Sequence, residues 1–230
     1  MTTTANRLPL PTYTETQPRI IGLTGGIGTG KTTVSDYLAT VHHLPVFDAD
    51  IYSREAVQLG SPVLKAIAHR YGTGILLDDG QLNRGQLGNI IFNNPTERHW
   101  IEQQIHPYVR RRLMEGIQKA LKIQDTKYKN NRKVRQPNKP TPIILVVPLL
   151  FEAKMTDLVT EIWVVHAPRA IEMERLMKRD YLTKEQAIAR INSQMSIDEK
   201  AKLADVVLDN SSTMDRLVDE IDAALGQVPV

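Results

Sequence analysis

The sequence predicts an α/β fold, a parallel β-sheet with helices on both faces. Three observations predict it. Short runs of aliphatic and β-branched residues alternate along the chain with stretches of helical spacing, the order that builds parallel strands through crossover helices. One run, Ile143–Val147, is apolar at every position, as a strand buried on both faces must be. The first strand leads directly into a glycine-rich turn and then a helix, an arrangement suited to holding an anion at the helix N-terminus.

Each element follows from local chemistry. Arg19–Thr24 is a short apolar strand, and Lys31–Ala39 carries helical spacing through Val34 and Leu38. Leu44–Phe47 reads as a second strand that ends at Asp48-Ala-Asp50. Ser61-Pro62 opens a helix with proline at its first position, and Gly72 stands just past its end. Leu82–Ile91 and Glu97–Lys122 read as helices, the second broken near His106-Pro107 because proline lacks the N–H that a helix interior needs. Beyond Ile143–Val147, Ile162–Val165 is a further strand, followed by a helix from Pro168 to Asp180. Thr183 with Gln186, and Ser196 with Glu199, are capping boxes that start two more helices. Val206–Leu208 is a last strand and Met214–Leu225 a closing amphipathic helix. No internal repeat is present.

Composition narrows the function classes. With 230 residues, 41% hydrophobic and 24% charged, the chain suits one globular domain and excludes wholesale disorder, collagen and coiled coil. Its longest apolar run, Ile143–Phe151, has nine residues, far short of the ~20 that span a bilayer. No cysteine is present, which removes disulfides, thiolate metal sites and a cysteine nucleophile. A cytoplasmic location and a monomer are expected. Residues 1–18, rich in Thr and Pro, have neither a secretory h-region nor the arginines of a transit peptide, and are expected to be disordered.

The net charge of +3 is local in origin. Lys127, Lys129, Arg132, Lys133, Arg135 and Lys139 lie in a stretch without Asp or Glu, and the rest of the chain nets −3. That basic insertion, about 124–141, has one aromatic residue and little apolar surface, so a loop is expected rather than a nucleic-acid platform.

The chemistry sits in Gly25-Gly-Ile-Gly-Thr-Gly-Lys-Thr32, which satisfies G-x-x-x-x-G-K-[ST] between a strand and a helix. Glycines let backbone N–H groups face a phosphate chain. Lys31 would reach the β- and γ-phosphates, and the Thr32 hydroxyl would bind Mg²⁺. A chance match in this length is on the order of one per cent. The dinucleotide pattern G-x-G-x-x-G fails in every register. The switch-GTPase signature D-x-x-G is also missing, and no apolar strand ends in a helicase-type acidic pair.

A phosphate loop by itself does not choose between a switch GTPase, a motor, a nucleic-acid ATPase and a small-molecule kinase. Asp48 and Asp50 end the second strand at the carboxyl edge of the sheet, beside the phosphate loop, where phosphoryl transfer needs a base and a metal support. Each also suits a helix N-cap. Arg175 and Arg179, four apart, share one helix face. They could close over a triphosphate from a lid around 175–205, or form a solvated face with Glu172 and Asp180.

Taken together, Ile21–Thr33, Phe47–Arg54, Leu82-Asn-Arg84 before Ile91-Phe92, His106-Pro107, Val146–Glu152, Arg175 with Arg179-Asp180 and Ala204–Asn210 resemble the dephospho-coenzyme A kinase family, in the family's order. The resemblance implies a P-loop kinase domain over 19–228, with a helical acceptor-binding region around 60–120. It implies ATP as co-substrate with Mg²⁺, and transfer of the γ-phosphate to the ribose 3′-hydroxyl of dephospho-coenzyme A. Asp50 would be the general base, Lys31 the phosphate ligand and Arg175 the lid arginine. Gly25, Gly28, Thr29, Gly30, Thr32, Thr33 and Asn210 would hold ATP, with Asp48, Arg54, Arg84 and His106 on the acceptor side. Asp48 could equally serve the metal. The extension 1–18 and the basic insertion have no counterpart in the family's compact pattern. A nucleoside or nucleotide kinase is the near alternative, and a nucleic-acid-dependent NTPase using the basic segment the distant one.

Overall fold

The computed structural model describes residues 18–92, 94–130 and 141–226. Five parallel strands, β1 (Ile20–Gly25), β2 (Val46–Asp48), β3 (Ile143–Val146), β4 (Glu161–His166) and β5 (Val206–Asp209), form one sheet in the order β2-β3-β1-β4-β5. Winding reverses beside β1, so the carboxyl end of the central strand opens onto a crevice, where ligands of such sheets bind.

Alternation along the strands divides the core. Ile144, Val146, Leu23 and Val165 face α1 (Lys31–Thr40) and α9 (Met214–Gly226), burying Val34, Leu38, Leu217 and Ile221. Ile143 and Leu145 face the other way, onto Val109 and Leu113 of α5 (Pro95–Asn130) and Ala49 of α2 (Ala49–Ala56). Helices thus cover both faces. A third apolar cluster, around Leu64, Ile67, Leu87 and Ile101, joins α3 (Pro62–Tyr71), α4 (Arg84–Phe92) and the start of α5 into a helical region beside the sheet.

Three elements differ from expectation. α5 is one helix of 36 residues with Pro107 inside it. Pro107 and Gln103, whose carbonyl loses its partner, are both exposed, so water can serve that carbonyl, while Val109, Leu113 and Ala120 stay buried on the opposite face. The helix also runs to Asn130, into the stretch expected to be a loop; the remainder of that loop, 131–140, lies outside the described residues. α4 starts at Arg84 rather than Leu82. Leu82 bridges Leu76, and the Asn83 side chain accepts the Gln86 N–H at 3.0 Å, capping the helix. The helix α2 was not expected as an element. Finally, the expected disorder at 1–18 falls outside the described residues except for Pro18, as do 227–228 at the other end.

The strongest local signals are realised. Ser61 caps α3, and both capping boxes form, at Thr183 for α7 (Lys184–Asn192) and Ser196 for α8 (Ile197–Lys202). Between β4 and α7 lies α6 (Arg169–Asp180).

Candidate active site

The turn after β1 curls around its own glycines. Gly28 and Gly30 take φ of 81° and 95°, and Gly30 is the left-handed residue that starts α1. A side chain at Gly30 is barred twice, by that φ and by the Asn210 amide nitrogen 2.1 Å from where a Cβ would sit. Thr29 is fully buried, its hydroxyl turned inward to donate to the Gly26 carbonyl at 3.0 Å. Thr32 faces a cavity of about 680 Å³, whereas Thr33 is exposed on the first turn of α1.

That cavity gathers side chains from four elements. Lys31 and Thr32 come from α1, Asp50 from α2, and Arg175 and Arg179 from α6, with Pro148 and Leu149 closing it from the loop after β3. Lys31 bends over the loop and donates to the carbonyls of Gly25 and Gly26 at 3.1 and 2.6 Å. Burial and the ammonium of Lys200 lower its pKa to about 8, against the attraction of Asp50 and Glu172. The cavity itself carries four cations, Lys31, Arg175, Lys178 and Arg179, against one carboxylate, Asp50, which suits a polyanion.

Asp48 and Asp50 divide the two uses open to them. The Asp48 carboxylate accepts the Asp50 N–H at 2.7 Å and so caps α2. Asp50, on the first turn of α2, reaches into the cavity, and burial followed by the nearby Asp48 charge holds its pKa above the usual carboxylate range. A carboxylate with raised affinity for a proton is what a general base needs.

Opposite it, the Arg175 guanidinium donates to the Asn210 carbonyl at 3.1 Å, and the Asn210 amide donates to the Thr29 carbonyl at 2.7 Å. The end of β5 is thereby tied to both Arg175 and the phosphate loop. Arg179 pairs with Asp180 at 2.8 Å, and Asp180 also holds Arg190 of α7 at 2.7 Å. Glu172, weighed as part of a solvated face with these arginines, is instead buried, and its carboxylate lies so close to Gly26 that a Cβ there would sit 1.9 Å from it.

A second cavity, about 760 Å³, adjoins the first and shares Leu149 and Gln194 with it. Arg84, Phe92 and Ile101 line it from the helical region, Glu152 from the turn after β3 and Arg190 from α7. Arg84 also faces a smaller cavity of about 390 Å³ with Arg54, whose carbonyl it approaches at 3.5 Å. His106 lines none of these three; it is half-buried on α5, and burial lowers its pKa.

Three residues of the site were missed in the sequence. Glu172 backs the phosphate loop. Lys200 of α8 is fully buried and donates to the Pro148 carbonyl at 2.9 Å while pairing with Glu152 at 3.0 Å. Gln194 stands where the two cavities meet. Spacing carries no sign of any of them, because each is a polar residue on a polar stretch whose burial is decided by tertiary packing. Among the described residues no group of three or more His, Asp or Glu could hold a metal, and no helix is long and apolar enough to cross a membrane.

Known proteins resemble this chain in sequence and in fold. The sequence model of the dephospho-CoA kinase family matches residues 19–216. A dephospho-CoA kinase of Trichormus variabilis is 57% identical over 208 residues, covering 90% of this chain and 96% of that one. One from Synechocystis is 49% identical over 203 residues, covering 88% and 92%. Among solved structures, the Thermus thermophilus protein TT1252 superposes with a TM-score of 0.70 at 30% identity over 93% of this chain and all of that one. The dephospho-CoA kinase of Campylobacter jejuni, at 23% identity, shares the fold with a TM-score of 0.61 over 91% and 96%.

Proposed function

This chain belongs to the dephospho-CoA kinase family, and from that premise we propose that it moves the γ-phosphoryl group of ATP to the ribose 3′-hydroxyl of dephospho-coenzyme A. The observation that carries the reading is the convergence of Lys31, Thr32, Asp50 and Arg175 on one cavity that communicates with a second, lined by Arg84.

In this reading the backbone N–H groups from Gly25 to Thr33 cradle the phosphates at the start of α1, and the macrodipole adds to their pull. Lys31 leaves its contacts with the Gly25 and Gly26 carbonyls for the β- and γ-phosphates. Asp50 accepts the proton of the attacking hydroxyl as its oxygen bonds to the γ-phosphorus and the bond from that phosphorus to the β–γ bridging oxygen breaks. Arg175 neutralises charge on the transferring group, and Asn210 fixes its direction. Arg84 and Arg54 take anionic groups of the acceptor. His106 lines none of the three cavities but stands one turn along α5 from Glu102, which lines the second.

Magnesium fits this site. The Thr32 hydroxyl is a hard oxygen donor facing the cavity, and Mg²⁺ needs few protein ligands when phosphates and water complete its shell. When bound it would neutralise charge between the β- and γ-phosphates.

Closure of the lid belongs to α7 and the end of α6. α8 cannot swing freely, because Lys200 is buried against Pro148 and the Met195 N–H donates to Glu152 at 3.0 Å. The enzyme works as a cytoplasmic monomer in this reading.

The test is ADP release measured across acceptors. Dephospho-coenzyme A should exceed nucleosides, nucleotides and RNA by at least a hundredfold in kcat/KM. A nucleoside or nucleotide as the best acceptor would overturn the proposal.

A further inference from the structure

Among the described residues, one buried side-chain polar atom has no hydrogen-bond partner, the Oε1 of Gln194. Enclosed carbonyl oxygens are nearly always paired, so one that is not marks a place where a partner belongs. Gln194 lies between α7 and α8 and lines both cavities, with Asp50 and Lys31 on one side and Arg84 on the other. That junction is where a nucleotide and an acceptor would meet.

Its position is held from several sides. The next residue, Met195, donates its N–H to Glu152. Glu152 pairs with the buried Lys200, Lys200 donates to the Pro148 carbonyl, and the Thr24 hydroxyl of β1 donates to that same carbonyl at 3.1 Å. The backbone beside Gln194 is thus tied to the segment after β3 and to β1 rather than to α7.

We propose that Gln194 is a specificity-determining residue that accepts a hydrogen bond from the ribose 2′-hydroxyl of the acceptor and so presents the 3′-hydroxyl to Asp50. The inference rests on the dephospho-coenzyme A reading above. Proton accounting selects the 2′-hydroxyl. The reacting hydroxyl has a single proton, and that proton goes to Asp50, so it cannot also be donated to Gln194. The neighbouring cis-hydroxyl carries its own proton and is the nearest donor to the reacting oxygen. A site built to pair with a hydroxyl discriminates strongly against the analogue without one, because its buried polar atom is then left unpaired.

The test compares dephospho-coenzyme A with its 2′-deoxy analogue, in the wild type and in Gln194→Met, at saturating ATP and Mg²⁺. The wild type should lose about tenfold or more in kcat/KM on the deoxy acceptor. Gln194→Met should lose a similar factor on the ribose acceptor, and should distinguish the two acceptors by less than about threefold. Circular dichroism reports whether the variant is folded; Gln194→Ala carries the same expectation if it is not. A variant that keeps the wild-type ribose-to-deoxy ratio overturns the inference, since a merely structural glutamine would lower both rates equally. A wild type indifferent to the 2′-hydroxyl overturns it as well. A wild type inactive on dephospho-coenzyme A removes the functional reading itself, and this inference with it.

Discussion

Replacing Lys31 by methionine should separate activity from stability in opposite directions. The side chain is half-buried, and its pKa falls from 10.5 to about 8 under burial and the charge of Lys200. At about 1.36 kcal/mol per pKa unit, the folded state holds this ammonium at a cost of about 3 kcal/mol relative to the unfolded chain. Two charge-assisted hydrogen bonds, to the Gly25 and Gly26 carbonyls, offset part of it. Methionine keeps the volume and removes the charge, so Lys31→Met should be as stable as the wild type at pH 7 or more stable by about 1 kcal/mol. The same substitution removes the cation facing the γ-phosphate and should lower kcat by a factor of about 10² or more.

The pH dependence fixes the sign. A lysine whose folded pKa is depressed destabilises the fold fully below about pH 8. The penalty is relieved as pH rises from about 8 toward 10.5, where the unfolded chain still binds a proton that the folded one has released. The stability advantage of the methionine variant should therefore shrink over that interval. Subtracting the two proteins' urea-unfolding free energies at each pH cancels the other titrating groups. A variant destabilised by more than about 1 kcal/mol at pH 7, or one that retains a tenth of wild-type kcat, would refute the reasoning.

Asp50→Asn should lower kcat ~10²-fold or more with little change in ATP affinity; a collapse of ATP affinity with normal turnover of the bound complex would make Asp50 a metal ligand instead. Asp48→Asn should move the acidic limb of the kcat/KM profile to lower pH, because asparagine still caps α2 but no longer holds a negative charge beside Asp50. An unmoved limb would show that Asp50 is not the titrating group. Arg175→Ala should lower kcat, and lysine there should restore only part of it, since one ammonium cannot hold both the Asn210 carbonyl and a phosphoryl oxygen in a planar fork. Full rescue by lysine would reduce Arg175 to a point charge. Gly30→Ala should cost about 1–3 kcal/mol in urea unfolding and raise the KM for ATP, since its Cβ displaces the Asn210 amide from the Thr29 carbonyl; an unchanged KM would detach Asn210 from nucleotide binding.

How far the sequence could be read depended on where each signal resides. Helices whose ends carry their own chemistry, at Ser61, Thr183 and Ser196, stand where their caps predict. Pro107 misled because its effect depends on which face it occupies, and only the packing of Val109 and Leu113 places it outward. Asp48 advertised both a cap and a site carboxylate, and the cap defines a helix that apolar spacing alone does not show. In the site, Lys31 was read from the loop motif, Asp50 from a strand end and Arg175 from the family resemblance, and the structure brings all three to one cavity. His106 was read from a motif and is not among the residues that line the three cavities. Glu172, Lys200 and Gln194 were illegible for a common reason: a polar residue in a polar stretch gives no sign of burial, and long-range contacts alone turned these three inward.

The same long-range contacts explain how a base survives among cations. Lys31, Arg175, Lys178 and Arg179 face the cavity that Asp50 lines, and the two cations that act on Asp50, Lys31 and Arg54, lower its pKa. Burial and the carboxylate of Asp48 push the other way and win, leaving Asp50 with a raised pKa. Asp48 is held in place by its cap to the Asp50 N–H, so the residue that starts the helix also keeps its neighbour basic. In the proposed reaction the cations would serve the phosphates, and their effect on Asp50 is cancelled locally rather than reduced by removing charge. A site of this kind holds charge of both signs at a cost to folding, which is why the most stable version of this chain should be one that cannot transfer phosphate.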